Sequence, residues 1–363
     1  MNKNERYSSI ELIRILAMLM IIIGHLIGHT HILDAISKSS ANYYLVSLLQ
    51  VICYPATNIY VLISGYLLCE KSFKIKRVLT IWLQVFLFSI FGFILGLIIL
   101  KQFSFSALLN AVLPISGDQY WFARVYFGLY LIMPFLNLLI DKMDKKKHEL
   151  CLVICVILFS LWRSCIPFAT TLNSEGGNSI IWFIVLYLFG AYIKRYGNEY
   201  HKVYSHPLLF ALVFITFAYV TKIVIGMLSQ RIGIGEKGTS LFTEFTAFPM
   251  LFSAIFVLIW ADKKKYIGIA DTIISWFSSS AFSVYLIHEN IYVKKILYPL
   301  IDVTKIANLP YIILLVVFSS VIIFTCCVLI DKASVSILLR CVNKRTFSER
   351  LQKKLDIILQ ENR

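Results

Sequence analysis

Apolar residues come along this chain in long blocks, parted by short polar connections. Ten such blocks recur, at about residues 11–28, 44–69, 78–100, 121–140, 150–168, 180–193, 207–228, 241–260, 273–292 and 310–330. About 20 mostly apolar residues carry a helix across the hydrocarbon layer of a bilayer, so each block predicts a transmembrane helix, the sixth being the shortest. Alternation at period two, the mark of a membrane β-barrel, is missing. The expected fold class is therefore all-α, a polytopic integral membrane protein of about ten helices.

Composition strengthens this picture. Of 363 residues, 59% are hydrophobic and 15% charged, whereas soluble domains run near 45–50% apolar and about 25% charged. The net charge of +15 raises the question of nucleic acid, but the basic residues are distributed as membrane topology demands. Lys71, Lys74, Lys76 and Arg77 share one connection; Lys142, Lys145, Lys146 and Lys147 share the next but one. Lys194, Arg195 and Lys202 continue the series, then Lys263, Lys264 and Lys265, then the chain from Lys332 onward. The intervening connections hold only Lys38, Lys101, and Arg231 with Lys237. Cytoplasmic loops collect Lys and Arg, so both termini are expected in the cytoplasm. Lys294, Lys295 and Lys305 dissent, falling on the expected outside. A nucleic-acid patch would gather on one soluble face, and no nucleic-acid partner is expected.

Lys3 and Arg6 precede the first apolar run in the manner of a signal peptide. Glu11 and Arg14 interrupt that run and no small-residue cleavage site follows, so it reads as a permanent helix. Beyond residue 332 the chain sets Leu338, Leu339, Val342, Leu351, Leu355 and Ile358 among basic residues. That pattern suits a cytoplasmic amphipathic tail (332–363) resting on membrane lipid, after a membrane domain of 1–331. The eight cysteines show no metal or redox spacing.

Charge inside a membrane span is costly, so the chemistry is sought there. In the first span Glu11 and Arg14 stand three apart and can pair on one helix face. His25 follows Arg14 by eleven residues, on nearly the same face and about 16 Å along the axis, and His29 adds one more turn. Two histidines at i and i+4 also suit zinc, but HLIGH lacks the glutamate of HExxH and no spacing supplies a third ligand, so no metal is expected. His288 lies deep in SVYLIHEN with Glu289 beside it, which favours function. Lys222 is expected to snorkel to an interface, while Arg124 is open between snorkelling and function. Lys74 and Arg77 form a compact cationic pair at a helix start, suited to the phosphates of a nucleotide-type donor.

Four motifs together resemble the membrane acyltransferase-3 family, whose members O-acylate bacterial surface glycans. RYSSIELIRILAMLMIIIGH resembles its opening pattern of an acid, an Arg three later and a His eleven beyond. NIYVLISGYLL resembles its Ser-Gly-aromatic motif, with Ser64 and Gly65 in register. YWFARVYFGLYLIMPFLN resembles the segment from a Trp to Leu-Tyr-Leu-x-x-Pro, here Trp121 and then Leu129 to Pro134. FSVYLIHENI resembles the late Tyr-Leu-x-His motif, ending on His288. The likeness runs in order from residue 6 to about 331. It departs in Lys74-x-x-Arg77 for a pair of arginines, Glu11 for the commoner Asp, and Glu289 for a frequent Pro.

The resemblance implies a bacterial plasma-membrane enzyme with no bound cofactor. Its co-substrate would be cytoplasmic acyl-CoA, first of all acetyl-CoA, and its acceptor a hydroxyl of a surface or lipid-linked glycan. Catalysis would fall to His25 as base, Arg14 to steady charge on the donor, and Glu11 to hold Arg14. Lys74, Arg77, Ser64, Trp121 and Arg124 form the expected donor-binding set; His29, His288 and Glu289 support the acceptor side. Two readings remain open: a carrier or flippase for sugars, and a non-catalytic assembly protein.

Overall fold

A computed structural model describes residues 8–101, 103–117, 119–166, 172, 174–203, 205–233, 238–262 and 269–342. Among them every regular element is a helix. We label the principal ones α1 (Ser8–His29), α2 (Ala41–Cys53), α3 (Ala56–Leu68), α4 (Ile75–Ile99), α5 (Trp121–Lys142), α6 (Lys145–Val156), α7 (Ile180–Val203), α8 (Pro207–Arg231), α9 (Phe248–Asp262), α10 (Ile269–Ser278), α11 (Ala281–His288), α12 (Ile291–Leu297) and α13 (Ile312–Val342). Seven helical stretches are long and apolar enough to cross a membrane, counting α2 and α3 as one. The three other apolar blocks are shorter or broken.

Each departure from the expected spans has a local cause. Pro55 has no N–H to give, and it separates α2 from α3 inside the block at 44–69. The fifth block continues past α6 through a π-helical turn, Ile157–Leu161, and ends at Cys165, two residues before a proline in the sequence. The eighth is helical only from Phe248, because Pro249 fits the first turn of a helix and not its middle. The sixth, expected to be short, is a helix of 24 residues. The ninth divides into α10 and α11 at a run of serines. Ser278 and Ser279 turn their hydroxyls onto the carbonyls of Ser275 and Trp276, three residues back, which competes with the helix ladder.

The core centres on α3 and α7, whose contact is the most extensive in the fold. A Cβ on Gly65 would meet the backbone of Tyr187, and one on Gly190 would meet Leu62 and Tyr66. The two backbones therefore touch where small residues permit it. Polar side chains tie this pair to its neighbours. Asn58 donates to the Phe245 carbonyl at 2.7 Å and accepts from the Trp182 indole at 3.0 Å. Asn137 of α5 accepts from the Tyr187 hydroxyl at 2.8 Å and donates to the Leu68 carbonyl at 3.0 Å.

The periphery is apolar and open. Only 11% of the most apolar window of α8 is buried, against 72% for α2 and α3. Leu212, Val213, Val220 and Val224 of α8 and Leu314 and Phe318 of α13 are exposed, as a lipid-facing surface requires. Lys222 of α8 donates to Gln50 of α2 at 2.9 Å and lies over the Tyr54 ring. The expected tail lies mostly outside the described residues, α13 carrying the helix as far as Val342. Lys237 and Lys263 to Lys265 lie outside them too.

Candidate active site

Helix α1 passes through the middle of the bundle, packing on α3, α9, α10 and α13. It therefore offers buried neighbours to both of its ends. Near its start, Arg14 donates to the Glu11 carboxylate at 2.6 Å, both side chains being partly buried. Near its finish stand His25 and His29, with ring centroids 5.5 Å apart.

The junction of α11 and α12 delivers the partners of these histidines. Asn290 caps α12, its side-chain oxygen accepting from the Tyr292 N–H at 3.0 Å. Its amide donates to the Tyr120 hydroxyl at 2.8 Å and to the Phe88 carbonyl at 3.3 Å. Tyr120 in turn donates to the Leu286 carbonyl at 2.9 Å. Gly92 of α4 makes room, since a Cβ there would collide with the Asn290 amide. A short helix is thereby stopped at His288 and the chain turned, so that Glu289 faces α1.

The hydrogen bonds assign the tautomers. His288 is completely buried, and its Nδ1 lies 2.6 Å from the Val284 carbonyl, an atom that only accepts. Nδ1 therefore carries the proton and Nε2 is the acceptor. His25 Nδ1 lies 3.1 Å from that Nε2 and 3.1 Å from Glu289 Oε1, so it donates towards both. His29 Nε2 donates to the same carboxylate oxygen at 2.9 Å. The second oxygen of Glu289 accepts from Lys294 at 3.1 Å. With Nδ1 engaged, a neutral His25 ring has its lone pair on Nε2, on a side chain held by a carboxylate and 30% exposed. That is the requirement for a general base: the free nitrogen can take a proton, and the carboxylate offsets the charge the ring gains.

The His29 ring rests 4.8 Å from the Tyr298 ring. Next to it opens a cavity of about 470 Å³, with His29, Thr30, Lys294, Lys295 and Tyr298 in its wall.

Around the other end of α1 the contacts are of another kind. Tyr60 of α3 is buried, its ring edge-on to that of Phe122 at 5.6 Å. Ser64 is buried one turn further along α3, donating to the Tyr60 carbonyl at 3.3 Å and to the Tyr126 hydroxyl at 3.4 Å. Lys74 and Arg77 are exposed at the start of α4, and the Arg77 guanidinium lies 5.5 Å from the centre of the Tyr130 ring. Trp121 and Arg124 are not gathered with them. Trp121 packs among Phe122, Phe183 and Phe245, and Arg124 is exposed on the same turn of α5. Tyr130 stands nine residues beyond Trp121, about 13 Å along the helix.

The structure thus brings His25, His29, His288 and Glu289 into one network, and Glu11 with Arg14 into a pair. It also supplies the third ligand that the spacing withheld. His25, His29 and Glu289 each offer one ligand atom, and these lie within 4.8 Å of one another, a trio that could hold a divalent cation. Tyr120, Asn290 and Tyr298 escaped the sequence reading, and Lys294 drew notice there only as a basic residue on the expected outside.

One family model, described as an acyltransferase domain, matches residues 7–331. Comparison with curated proteins and with solved structures finds no match.

Proposed function

Since the chain belongs to the acyltransferase-3 family and is a multi-pass membrane protein, we propose that it transfers an acyl group, most simply acetyl, from acyl-CoA to a glycan hydroxyl. The carrying observation is the ring of His25, whose Nδ1 faces Glu289 and His288, so that Nε2 is the nitrogen left for the acceptor. In this reading the membrane is bacterial and the chain crosses it ten times with both termini inside. The start of α1 then faces the cytoplasm and His25 lies towards the outer surface.

The chemistry follows from that arrangement. His25 Nε2 takes the proton of the acceptor hydroxyl as its oxygen attacks the thioester carbonyl. The C–O bond forms, the C–S bond breaks, and the departing thiolate recovers the proton from the imidazolium. Glu289 and His288 keep the ring oriented throughout. Arg14, steadied by Glu11, stabilises negative charge on the donor, while Lys74 and Arg77 receive the CoA phosphates at the cytoplasmic face. The distance of about 16 Å between Arg14 and His25 suits a long, thin pantetheine arm lying along α1. Ser64 lines that path; Trp121 and Arg124, at the start of α5, act nearer the acceptor than the phosphates.

The test is mass spectrometry of surface glycans from cells with and without the gene. Loss of one fixed acyl mass supports transfer and names the acyl group; an unchanged spectrum moves the carrier reading to the front. The His25, His29 and Glu289 trio favours one further reading, in which a divalent cation polarises the thioester. Purified protein stripped with a chelator separates the two: transfer through His25 alone survives the treatment, and metal-assisted transfer does not.

A further inference from the structure

In the proposed topology three lysines, Lys294, Lys295 and Lys305, fall on the side of the membrane where this chain otherwise carries few basic residues. Two of them have local partners. Lys305 pairs with Asp302 at 3.0 Å, and Lys294 with Glu289 at 3.1 Å. Lys295 is exposed, has no carboxylate partner among the described residues, and lines the cavity beside His29. The wall of that cavity holds Lys294 and Lys295 and no carboxylate, so its net charge is positive. Its volume of about 470 Å³ is ample for a sugar residue. His29 belongs to the wall, and the His25 ring lies 5.5 Å beyond it, about the width of one sugar ring.

We infer that the acceptor is an anionic glycan, whose oxyanion sits on Lys295 while a hydroxyl of the same or the next residue turns towards His25. The inference rests on the acyl-transfer reading and adds to it the charge of the substrate. A carboxylate sugar and a phosphodiester both supply the oxyanion. Lys294 is held by Glu289 and so presents less of its charge to the ligand. Lys295 therefore acts as the selecting residue. It explains why a basic residue is kept on this side of the membrane, where topology alone disfavours it.

The experiment compares cells carrying wild type, Lys295→Gln, Lys295→Glu, Lys295→Arg, or a gene deletion. Surface glycans are separated into neutral and anionic fractions by anion exchange, and ester-linked acyl groups in each are measured by mass spectrometry. Phosphorus and uronic acid content of the ester-bearing fraction then separates phosphodiester from carboxylate. The expected result is ester confined to the anionic fraction, falling roughly two- to fivefold in Lys295→Gln, as for an exposed charge pair, further in Lys295→Glu, and restored in Lys295→Arg. Ester on neutral glycan, unchanged in Lys295→Glu, overturns the inference and leaves acyl transfer standing. An equal loss from neutral and anionic fractions also overturns it, since it marks a contact with lipid headgroups or with the fold. A deletion strain that keeps every ester overturns acyl transfer itself, and the inference with it.

Discussion

The two ends of α1 carry charged groups of the same helix, yet they are assembled by different means. At the start, Arg14 meets Glu11 three residues away, a pair that any helix with this sequence would form. At the finish, His25 and His29 meet His288 and Glu289, more than 250 residues on. The first contact follows from helix periodicity alone. The second needs a helix interrupted at the serine run, a capping Asn290, a buried Tyr120 and a glycine at position 92 that leaves space. A local pair of this kind is worth a few tenths of a kcal/mol and can adapt to a ligand. A network with each lone pair and proton assigned is rigid, and rigidity is what a base needs.

Substitutions that separate the two ends should differ in size and in kind. The largest effect belongs to His25→Ala, which removes the free Nε2: acyl transfer should fall by about 10²–10⁴-fold with protein still present in the membrane. Glu289→Gln keeps the shape of the network and removes its charge; a loss of about 10²-fold in kcat, with donor KM little changed, is the expected result. Asn290→Ala frees the α11–α12 junction and should cost on the order of tenfold, whereas Asn290→Asp, which still caps α12, should recover part of it. At the other end, Arg14→Lys preserves charge and loses the forked geometry. There the KM for acyl-CoA should rise roughly five- to tenfold while kcat changes less. If Arg14→Lys lowers kcat alone and Glu289→Gln raises donor KM alone, the division between the ends is reversed.

A fifth change tests the scaffold that holds the ends in register. Gly65→Ala puts a methyl group against the Tyr187 backbone, and overpacking of this kind costs about 1–3 kcal/mol. The thermal midpoint of the purified protein should fall, and activity should fall only as far as the folded fraction does.

Much of the architecture was legible in the chain because lipid imposes a simple rule. Blocks of apolar residues announce helices, and each of the ten contains helix among the described residues, although seven stretches are long and apolar enough to cross a membrane. Their interruptions were harder to see. Pro55 and Pro249 sit inside apolar runs, where composition conceals their effect on the backbone. The serines at 278 and 279 act through hydroxyl contacts that a hydropathy pattern does not record. Of the site, the members that share a helix were legible from spacing: Glu11 with Arg14, and His25 with His29. His288 and Glu289 drew attention as ionisable groups in an apolar run, but their pairing with His25 and His29 across the bundle did not. Spacing along one helix therefore missed Glu289 as a third ligand atom for the histidines. The partner of Lys222 escaped for a related reason: Gln50 lies on another helix. Tyr120 and Asn290 were invisible because their roles exist only once α4, α5 and α11 are packed together.

The central claim is that His25 is the base of an acyl transfer. It is tested most directly by measuring ester-linked acyl groups on surface glycans in cells that make wild-type protein or His25→Ala at equal abundance in the membrane. The account predicts that His25→Ala falls to the level of a strain lacking the gene. Ester kept at the wild-type level in His25→Ala would contradict it.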